Sequence, residues 1–324
     1  MKKIVITGGT GFVGRSVIER LFSHHRETRL VVPTRRLASG RQVALLPTVD
    51  LVECNIHDPA AQRALLEGAD ALVHLVAVLH GSEADFDRVH VQLPRHLAAA
   101  CAATGVKRVL HVSALGVASH APSAYLRSKA AGEAVWQQAA QLYGPGQGSG
   151  PGSEKLRSAG LDITLLRPSV IFGAEDRFTN LFVALQRVLP LLPLAGAGAL
   201  FQPVWVGDVA QAVVNSLAGQ RPDSPVIECA GPEVLTLKQI VQRVGAMAGC
   251  ARPVLGLPEA IGLLQAAAMG LLPGEPLMSR DNLLSMRVPN IASGKLPGLA
   301  ALGITPASLD CLTAHFNPPN PRRR

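Results

Sequence analysis

The sequence predicts an α/β fold, a doubly wound parallel sheet with a smaller, mostly helical carboxyl-terminal lobe. Short apolar runs alternate along the chain with segments of helical periodicity, the order in which parallel strands and crossover helices occur. The first apolar run, residues 3–6, leads directly into a glycine-rich turn and then into a helical pattern. The chain has 324 residues, 48% of them hydrophobic, enough to bury one large core or a core and a smaller lobe.

The alternation can be followed element by element. After the first run, the predicted strands are Leu30–Val32, Asp50–Val52, Ala71–Val76, Arg108–Val112, Asp162–Leu166 and Val226–Cys229. The later helical patterns lie near Ala60–Leu66, Phe86–Ala103, Tyr125–Gln141, Asp208–Leu217 and Leu237–Ala248. Right-handed crossovers between parallel strands place the ligand-facing loops at the carboxyl ends of the strands.

The glycine-rich turn predicts a dinucleotide site. Gly8, Gly11 and Gly14 recur at three-residue spacing, and Val17 and Ile18 belong to the apolar-periodic helix that follows. A turn without side chains lets backbone N–H groups approach a pyrophosphate, whose charge then lies at the positive end of the helix. Strand, turn and helix stand in the order that a Rossmann-type fold requires, which favours a cofactor site over a structural turn. The other cofactor-binding residues assigned to this site are Thr10, Phe12, Val13 and, at the end of the fourth predicted strand, Val76.

The end of the second strand decides between the two nicotinamide cofactors. An acidic residue there would accept hydrogen bonds from the adenosine ribose 2′-hydroxyl and repel a 2′-phosphate. This chain instead has Arg35 and Arg36 after Pro33-Thr34. Guanidinium groups are planar, charge-assisted donors suited to phosphate. The alternative, two exposed loop arginines without a ligand, is the less favoured one beside a dinucleotide turn, so NADP(H) is expected rather than NAD(H).

Tyr125 and Lys129 form a candidate catalytic pair. Their four-residue spacing at the start of a helix places both side chains on one helical face. A nearby ammonium stabilises a phenolate, so such a tyrosine can exchange a proton with a carbonyl or an alcohol. Ser113, at the end of the fifth strand, supplies a hydroxyl that could polarise the same oxygen. The pair alone is common on exposed helices, but behind a nucleotide turn and with Ser113 it is much more specific.

Charge and composition narrow the classes of function that remain open for this chain. The net charge of +8 comes with three arginines in the carboxyl-terminal tail, and aromatic residues are only 4% of the chain. Because no basic stretch is interleaved with aromatics, nucleic-acid binding is not expected, whereas anionic cofactors or lipids are compatible with the charge. The five cysteines are scattered without metal-ligand spacing, which indicates neither a disulfide framework nor a metal site. No cleavable signal is expected, because the first apolar run belongs to the nucleotide motif.

Longer segments carry a resemblance to a known family. They are Val31–Arg35, Tyr125–Glu133, Leu166–Phe178 and Gln202–Val209, with later matches at Ser279–Asp281 and Leu302–Ile304. Through them the chain resembles the short-chain dehydrogenase/reductase superfamily in its extended or atypical, NAD-dependent epimerase/dehydratase-like branch. In particular, it is similar to the NADPH-binding accessory subunit of mitochondrial respiratory complex I and its bacterial relatives.

The resemblance implies roles for individual residues. The glycines at 8, 11 and 14 would contact the pyrophosphate, Arg35 with Arg36 the 2′-phosphate, and Tyr125 and Lys129 the nicotinamide ribose. Pro168 and Ser169 would line the nicotinamide. In the superfamily the polarising hydroxyl can fall one position beyond Ser113, where this chain has Ala114. The complex I subunit resembles a reductase yet is regarded as structural, so the resemblance is compatible with nucleotide binding alone.

Two functions therefore stay open. The first is an NADP(H)-dependent oxidoreductase of unknown substrate, carbonyl or quinone-like, in which Tyr125 is the general acid/base, Lys129 lowers its pKa and Ser113 orients the reacting oxygen. The second is a non-catalytic nucleotide-binding accessory or assembly factor linked to complex I or quinone metabolism. The expected location is cytoplasmic, with contact to a respiratory complex or to the inner face of the membrane as the peripheral variant.

The expected domains follow from the predicted strands and helices. Residues 1–173 form the Rossmann domain, completed by strand segments near 200–230, and residues 174–205 and 230–324 form the substrate-side lobe. Residues 144–153, rich in Gly and Pro, are expected to be a flexible loop. Leu255–Leu272 is expected to be a buried helix, with a membrane-facing or quinone-tail surface as the alternative. Asp176 and Arg177 either contact substrate or pair with each other. His74, His90 and His111 are expected to be hydrogen-bonded core histidines or to lie beside the cofactor, and are not expected to be metal ligands.

Overall fold

The computed structural model describes residues 1–143, 161–220, 222, 224–269 and 278–316. The predicted flexible loop at residues 144–153 and the arginine tail lie outside the described residues. The strands are β1 Lys3–Thr7, β2 Arg29–Thr34, β3 Val49–Glu53, β4 Ala71–His74, β5 Arg108–Val112, β6 Asp162–Pro168, β7 Ile171–Phe172, β8 Leu192–Ala195, β9 Leu200–Phe201, β10 Val204–Trp205, β11 Val226–Cys229, β12 Leu235–Thr236 and β13 Val254–Leu257. The helices are α1 Phe12–His24, α2 Pro59–Leu66, α3 Glu83–Asp87, α4 Leu93–Thr104, α5 Ala124–Tyr143, α6 Arg177–Val188, α7 Val206–Leu217, α8 Leu237–Met247, α9 Glu259–Met269, α10 Arg280–Ser285 and α11 Thr313–Phe316.

Seven parallel strands form the main sheet, in the order β11-β6-β5-β4-β1-β2-β3. The order reverses between β1 and β4, where Thr7 pairs with His74. In an open α/β sheet this reversal opens a crevice beyond the carboxyl ends of the strands, and ligands bind there. The predicted doubly wound, Rossmann-type sheet is confirmed, and its crevice lies directly above the glycine-rich turn.

Alternation along each strand divides the core between the two faces of the sheet. Ile4 and Ile6 of β1 pack with the apolar face of α1 and with α7, whereas Val5 packs with α2, α4 and α5 on the other side. A separate apolar cluster, which includes Phe172, Phe182 and Leu237, lies among α6, α8 and the short strands. The pair β7–β10 contributes to both clusters, Val204 to the core beside the main sheet and Phe172 to this one, and the pairs β8–β13 and β9–β12 belong to this cluster.

The helix predicted over Phe86–Ala103 is interrupted. A π-helical segment, Arg88–Gln92, separates α3 from α4. Pro94 explains the interruption, because it has no N–H to donate to the carbonyl four residues earlier, that of His90. The freed carbonyl faces α5 at Gly132, where an added Cβ would stand 2.1 Å from the His90 oxygen. The backbones of the π segment and α5 are therefore in close contact, in keeping with the frequent occurrence of π-bulges at functional sites.

Other boundaries also differ from the prediction. The strand predicted as Ala71–Val76 ends at His74, because the backbone at Leu75 and Val76 bends closely around Gly8. The segment Leu255–Leu272 is not one buried helix: its first residues belong to β13, which pairs with β8, and α9 begins only after Pro258. Leu264 on α9 is 72% exposed. Periodicity alone missed α6, which begins after Asp176.

Within the described residues, no helix has the length and apolar character needed to cross a membrane.

Candidate functional site

The glycine-rich turn joins β1 to α1 at the point where the strand order reverses. Gly8 has φ +76°, which disfavours any side chain, and its neighbours are the backbone atoms of Leu75 and Val76. A Cβ on Gly14 would stand 2.4 Å from the carbonyl oxygen of Gly8. At the N-cap position of α1, Gly11 supplies no side-chain hydrogen bond to the first turn of the helix. The cradle that a Cβ would fill and the uncapped helix start together fit a bound pyrophosphate.

The four other residues assigned to this site have different surroundings. The Phe12 ring lies against Gly173 at the end of β7. Val13 is half-buried and packs on the core between α1 and the sheet, and Val76 packs on the opposite face. Thr10 is half-buried in the turn itself. Phe12 and Val13 therefore hold the turn against the protein, and the backbone of Val76 lies beside Gly8.

Arg35 and Arg36 follow β2 and are both exposed. Thr34 fixes the turn that carries them, because its Oγ1 donates to the Arg36 carbonyl at 3.0 Å and accepts from the Arg36 N–H at 3.3 Å. Burial lowers the pKa of His57, beyond β3, and the charges of Arg88 and Arg35 lower it further. The ends of β2 and β3 are thus an electropositive region that suits a phosphate.

Tyr125 lies in the first turn of α5, and that turn is completely capped. Ser123 accepts the N–H of Leu126 through its hydroxyl at 3.2 Å. The carboxylate of Asp281, on α10 in the carboxyl-terminal lobe, accepts the N–H groups of Ala124 at 2.7 Å and Tyr125 at 3.0 Å. The Tyr125 ring meets the rings of His90 and Phe86 edge-on, at centroid distances of 5.6 and 6.1 Å. Burial raises the pKa of Tyr125 to about 12.

Lys129 lies one turn further along α5 and is only 1% exposed. Its Nζ donates to the carbonyl oxygen of Val112 at 2.8 Å, which ties the side chain to the carboxyl end of β5. Burial lowers the pKa of Lys129 to about 8, and the Glu133 carboxylate opposes that shift. Glu133 is itself buried and paired with Arg167 of β6. The lysine charge is therefore held in the protein interior by one hydrogen bond and one nearby carboxylate.

Ser113 follows β5 and is 5% exposed, and its Oγ has no hydrogen-bond partner within the described part of the chain. On the same side of the sheet, the rings of His74 and His111 stack 5.1 Å apart, and each contacts Trp136. His74 Nδ1 pairs with the Thr7 hydroxyl at 2.7 Å. Burial lowers the pKa of both histidines, of His74 to about 3, so both are neutral at pH 7. The Ser113 hydroxyl is shielded from solvent, while Ala114 beyond it is partly exposed.

His90 links the loop after β4 to the Tyr125 turn. Its Nε2 accepts the N–H of Val78 at 3.2 Å, so the ring proton belongs on Nδ1, which lies 2.8 Å from the hydroxyl of Ser128. Ser128 in turn donates to the carbonyl oxygen of Tyr125 at 2.8 Å. Burial lowers the pKa of His90 to about 3. Among the described residues, no cluster of three or more His, Cys, Asp and Glu side chains could hold a metal ion.

Pro168 ends β6, and Ser169 follows it. A segment from the carboxyl-terminal lobe, residues 278–293, holds the chain at this point. Within that segment, Asn290 accepts the Ser169 hydroxyl at 2.7 Å and the Val170 N–H at 2.9 Å through Oδ1. The carbonyl of Pro168 accepts the N–H of Leu115 at 2.9 Å. The Ser169 hydroxyl is therefore engaged within the protein, and the loops after β5 and β6 are joined to the lobe.

Asp176 has a structural role that the sequence did not indicate. It is buried and accepts the N–H of Gly173 at 2.9 Å and the hydroxyl of Thr179 at 2.6 Å, which caps α6. A carboxylate that is saturated in this way is not available to a substrate. Glu175, beside it, pairs instead with Arg15 of α1.

The carboxyl edge of the sheet brings most of the assigned residues into one row. Arg35 and Arg36 stand at β2, the glycine-rich turn at β1, and Lys129, tied to Val112, at β5 with Ser113 and Tyr125. Three further residues hold this row: His90, Asn290 and Asp281. The sequence offered no signal for Asn290, and the signal at Asp281 was only its place in a matching segment, because both act across more than a hundred residues of chain.

Comparisons with known proteins identify the family and the fold of this chain. A family model described as the NAD dependent epimerase/dehydratase family matches residues 4–227. NADH dehydrogenase (ubiquinone) 1 alpha subcomplex subunit 9 of Mus musculus mitochondria is 28% identical over 312 residues, covering 94% of this chain and 77% of the relative. The mitochondrial NADH-ubiquinone oxidoreductase 40 kDa subunit of Neurospora crassa is 24% identical over 315 residues, with 96% and 77% covered.

Two solved structures share the fold. An NADPH-dependent quinone oxidoreductase of Escherichia coli, solved with NADPH, has a TM-score of 0.72 at 21% identity and covers 97% of this chain and 99% of its own. A UDP-glucuronic acid 4-epimerase of Bacillus cereus, solved with UDP-glucuronic acid and NAD, has a TM-score of 0.63 at 16% identity, with 88% and 99% covered.

Proposed function

This chain belongs to the NAD dependent epimerase/dehydratase family, and from that premise we propose that it is an NADPH-dependent oxidoreductase acting on a carbonyl or quinone-like substrate. The observation that carries the proposal is the row of residues along the carboxyl edge of the sheet. Its arginines, glycine-rich turn and Tyr125–Lys129 pair follow the order in which a dinucleotide presents its 2′-phosphate, pyrophosphate and nicotinamide. The residues fit the cofactor at each of these three places.

NADPH is proposed over NADH because of the charge at the end of β2. Arg35 and Arg36 are exposed there, and His57 nearby is neutral at pH 7. Guanidinium donors to a phosphate contribute about 1.5–3 kcal/mol per charged hydrogen bond. NADH has no phosphate at this position, so the arginines discriminate between the cofactors.

Tyr125 is proposed as the proton donor. A pKa of about 12 keeps its phenol protonated at neutral pH, which suits reduction, where the substrate oxygen needs a proton. Lys129 would bind the nicotinamide ribose and stabilise the phenolate left behind, because its own pKa of about 8 leaves it mostly charged at pH 7. When bound, reduced nicotinamide supplies the hydride.

A specific observation favours a second function, a nucleotide-holding accessory protein of a respiratory assembly. Ser113, the assigned polarising residue, has its hydroxyl shielded from solvent, and the next position is Ala114. The two mitochondrial relatives described above are subunits of NADH dehydrogenase (ubiquinone) and of NADH-ubiquinone oxidoreductase. In this second function the same cleft holds NADPH without turnover, and the partner is a respiratory complex or its membrane surface.

Cofactor titration tests the part that both functions share. Purified, nucleotide-stripped protein is titrated with NADPH and NADH, followed by cofactor fluorescence. Arg35→Ala combined with Arg36→Ala should weaken NADPH by about 10- to 100-fold and NADH by less than about threefold. Arg26→Ala, an exposed arginine at the opposite edge of the sheet, is the matched control. Equal losses for both cofactors in the double variant would remove the 2′-phosphate assignment.

Turnover separates the two functions. NADPH oxidation is measured against a panel of quinones and carbonyl compounds with the parent protein and Tyr125→Phe. The oxidoreductase assignment requires a substrate whose reduction falls at least about 100-fold in Tyr125→Phe, while the Kd for NADPH stays within about threefold. Tight NADPH binding without turnover across the panel, together with co-purification of respiratory-complex subunits, would support the accessory function. Activity that survives Tyr125→Phe would exclude Tyr125 as the proton donor.

A further inference from the structure

The first turn of α5 is held by a residue that lies 156 positions away in sequence. Helix starts have N–H groups without intrahelical partners, and a local N-cap side chain ordinarily satisfies one of them. Ser123 is that local cap, and its hydroxyl accepts a hydrogen bond from the N–H of Leu126 alone. The N–H groups of Ala124 and Tyr125 both donate to Asp281. The backbone that carries Tyr125 is therefore fixed by the carboxyl-terminal lobe.

From this contact we infer that Asp281 is a positioning residue, whose carboxylate seats the first turn of α5 and so places the Tyr125 hydroxyl for its reaction. The inference rests on the proposed function, which makes Tyr125 the proton donor. It concerns a residue whose carboxylate meets Tyr125 at the backbone N–H, so its role is to place the tyrosine.

The Asp281 carboxylate belongs to a helix turn that is itself fixed by hydrogen bonds. Ser279 caps α10 with a reciprocal pair of contacts to Asn282: the Ser279 hydroxyl accepts the Asn282 N–H at 3.1 Å, and Asn282 Oδ1 accepts the Ser279 N–H at 2.9 Å. Such a capping box fixes the start of a helix. Asp281 lies inside this turn, so its two oxygens are presented to α5 from a defined backbone. Two charge-assisted hydrogen bonds at the positive end of a helix hold more firmly than one neutral cap.

The same segment of the lobe, residues 278–293, also contacts the loops after β5 and β6. Val288 lies against Gly116 in the loop after β5, and Asn290 binds Ser169 and Val170 at the end of β6. From the other side, His90 holds the Tyr125 carbonyl through Ser128. Tyr125 is thus clamped between the Rossmann domain and the lobe, and Asp281 is the lobe's contact with its backbone.

The ionisation of Tyr125 provides a direct readout of its placement. The charged or titratable groups around it are His90 on the π segment, Lys129 on α5 and Asp281 on α10, with the Arg127–Glu83 pair on the exposed side. Removing Asp281 takes away a negative charge and loosens the turn, which admits water to the phenol. Both changes favour the phenolate, so the pKa of Tyr125 should fall from its raised value.

The chain offers a clean spectroscopic signal, because Tyr125 and Tyr143 are its only tyrosines. In a Tyr143→Phe background, tyrosine labelled with ¹³C at Cζ reports Tyr125 alone, and its NMR shift is followed against pH in the unliganded protein. Asp281→Ala should lower the pKa of Tyr125 by about one unit or more. Asp281→Glu should restore most of the difference, and Asp310→Asn, which removes a carboxylate that contacts Arg243, should change nothing.

The outcomes separate this inference from the proposed function. An unchanged Tyr125 resonance and titration in folded Asp281→Ala would overturn the positioning role. If that variant does not fold, Asp281→Asn serves instead, because its amide oxygen can keep one of the two hydrogen bonds; it should lower the pKa of Tyr125 by a smaller amount, and an unchanged titration would overturn the positioning role. Failure of the parent to bind NADPH would overturn the proposed function but leave this unliganded measurement valid. With a substrate in hand, Asp281→Ala should lower kcat about tenfold or more while the Kd for NADPH stays within about threefold.

Discussion

Helices α1 and α5 begin at the same edge of the sheet, and their first turns are completed in opposite ways. At α1 the N-cap is Gly11, which offers the helix no side-chain acceptor. At α5, Ser123 and Asp281 together satisfy the first three N–H groups. An open helix start is available to an anion, whereas a closed one holds its own side chains in place. In the proposed function, a helix start therefore binds the cofactor where it is open and holds the reactive tyrosine where it is capped.

The largest effect is expected from Gly14→Ala, which destroys the open start. The new Cβ would stand 2.4 Å from the Gly8 carbonyl oxygen, and backbone on that side cannot move aside as a flexible side chain would. We expect a loss of about 3 kcal/mol in the free energy of unfolding, measured by urea denaturation, together with loss of NADPH binding. Gly11→Ala is the control, because its nearest neighbour is that same oxygen at 3.3 Å. Equal stability of the two variants would contradict the packing argument.

Gly11→Asp converts the open start into a closed one. The carboxylate would cap α1 and occupy the place proposed for the pyrophosphate, so we expect NADPH affinity to fall about 100-fold through charge repulsion. The thermal midpoint should stay constant or rise slightly, because Asp is a better N-cap than Gly. The neutral cap in Gly11→Asn should cost less affinity. Unchanged NADPH binding in Gly11→Asp would show that the anion does not bind at this helix start.

Lys129→Met tests how much free energy of unfolding is lost by burying the Lys129 charge near the start of α5. The folded-state pKa of Lys129, about 8, lies below the ordinary value of 10.5, so the unfolded chain binds its proton more tightly. The parent therefore gains stability as pH rises from about 8 to 10.5. We expect Lys129→Met to be more stable than the parent by about 2 kcal/mol at pH 7, after loss of the bond to Val112, and to lose this advantage by about pH 10.5.

Urea denaturation at several pH values measures this difference. Lys107→Met is the matched control, because Lys107 is exposed and should show no comparable dependence. A constant difference between Lys129→Met and the parent from pH 7 to 10.5 would mean that Lys129 keeps its ordinary pKa in the folded protein.

The smallest effect is expected from Ser123→Ala, which removes only the local cap of α5. One N-cap hydrogen bond contributes about 1 kcal/mol to the free energy of unfolding. Because Ser123 and Asp281 hold the same turn, the double variant Ser123→Ala with Asp281→Ala should depart from additivity by about 0.5 kcal/mol or more. Thermal denaturation of the four proteins in the cycle measures this coupling. Strict additivity would indicate that the two caps act on the turn independently.

The open start was predictable from the sequence, and the closed one was only partly so. Gly8, Gly11 and Gly14 lie within one strand–turn–helix unit, and their function depends on backbone that they themselves form. Tyr125 and Lys129 were also found by local spacing, and Val226–Cys229 was predicted at its observed bounds. Local periodicity is sufficient wherever an element packs through its own apolar face.

The remainder depends on contacts between distant segments, which periodicity does not encode. Pro94 follows a π-helical stretch within a helix that otherwise reads as continuous, and its missing N–H explains that stretch. Asp176 is one residue before a helix that the sequence analysis did not identify, so its capping role was hidden. The partners of Tyr125 and Ser169 come from residues 281 and 290, and only the folded lobe brings them together.

The reach of Asp281 across the chain has a consequence for synthesis. Domains form from the amino terminus as the chain leaves the ribosome at about 5–20 residues per second, so residue 281 appears about 10–30 s after residue 125. During that interval the glycine-rich turn and its strand have already been made, but the first turn of α5 has only its local cap. A nascent or prematurely terminated chain would thus contain the nucleotide-binding turn without the contact that seats Tyr125. The proposed cofactor capture and the proposed proton transfer would therefore be acquired at different stages of synthesis.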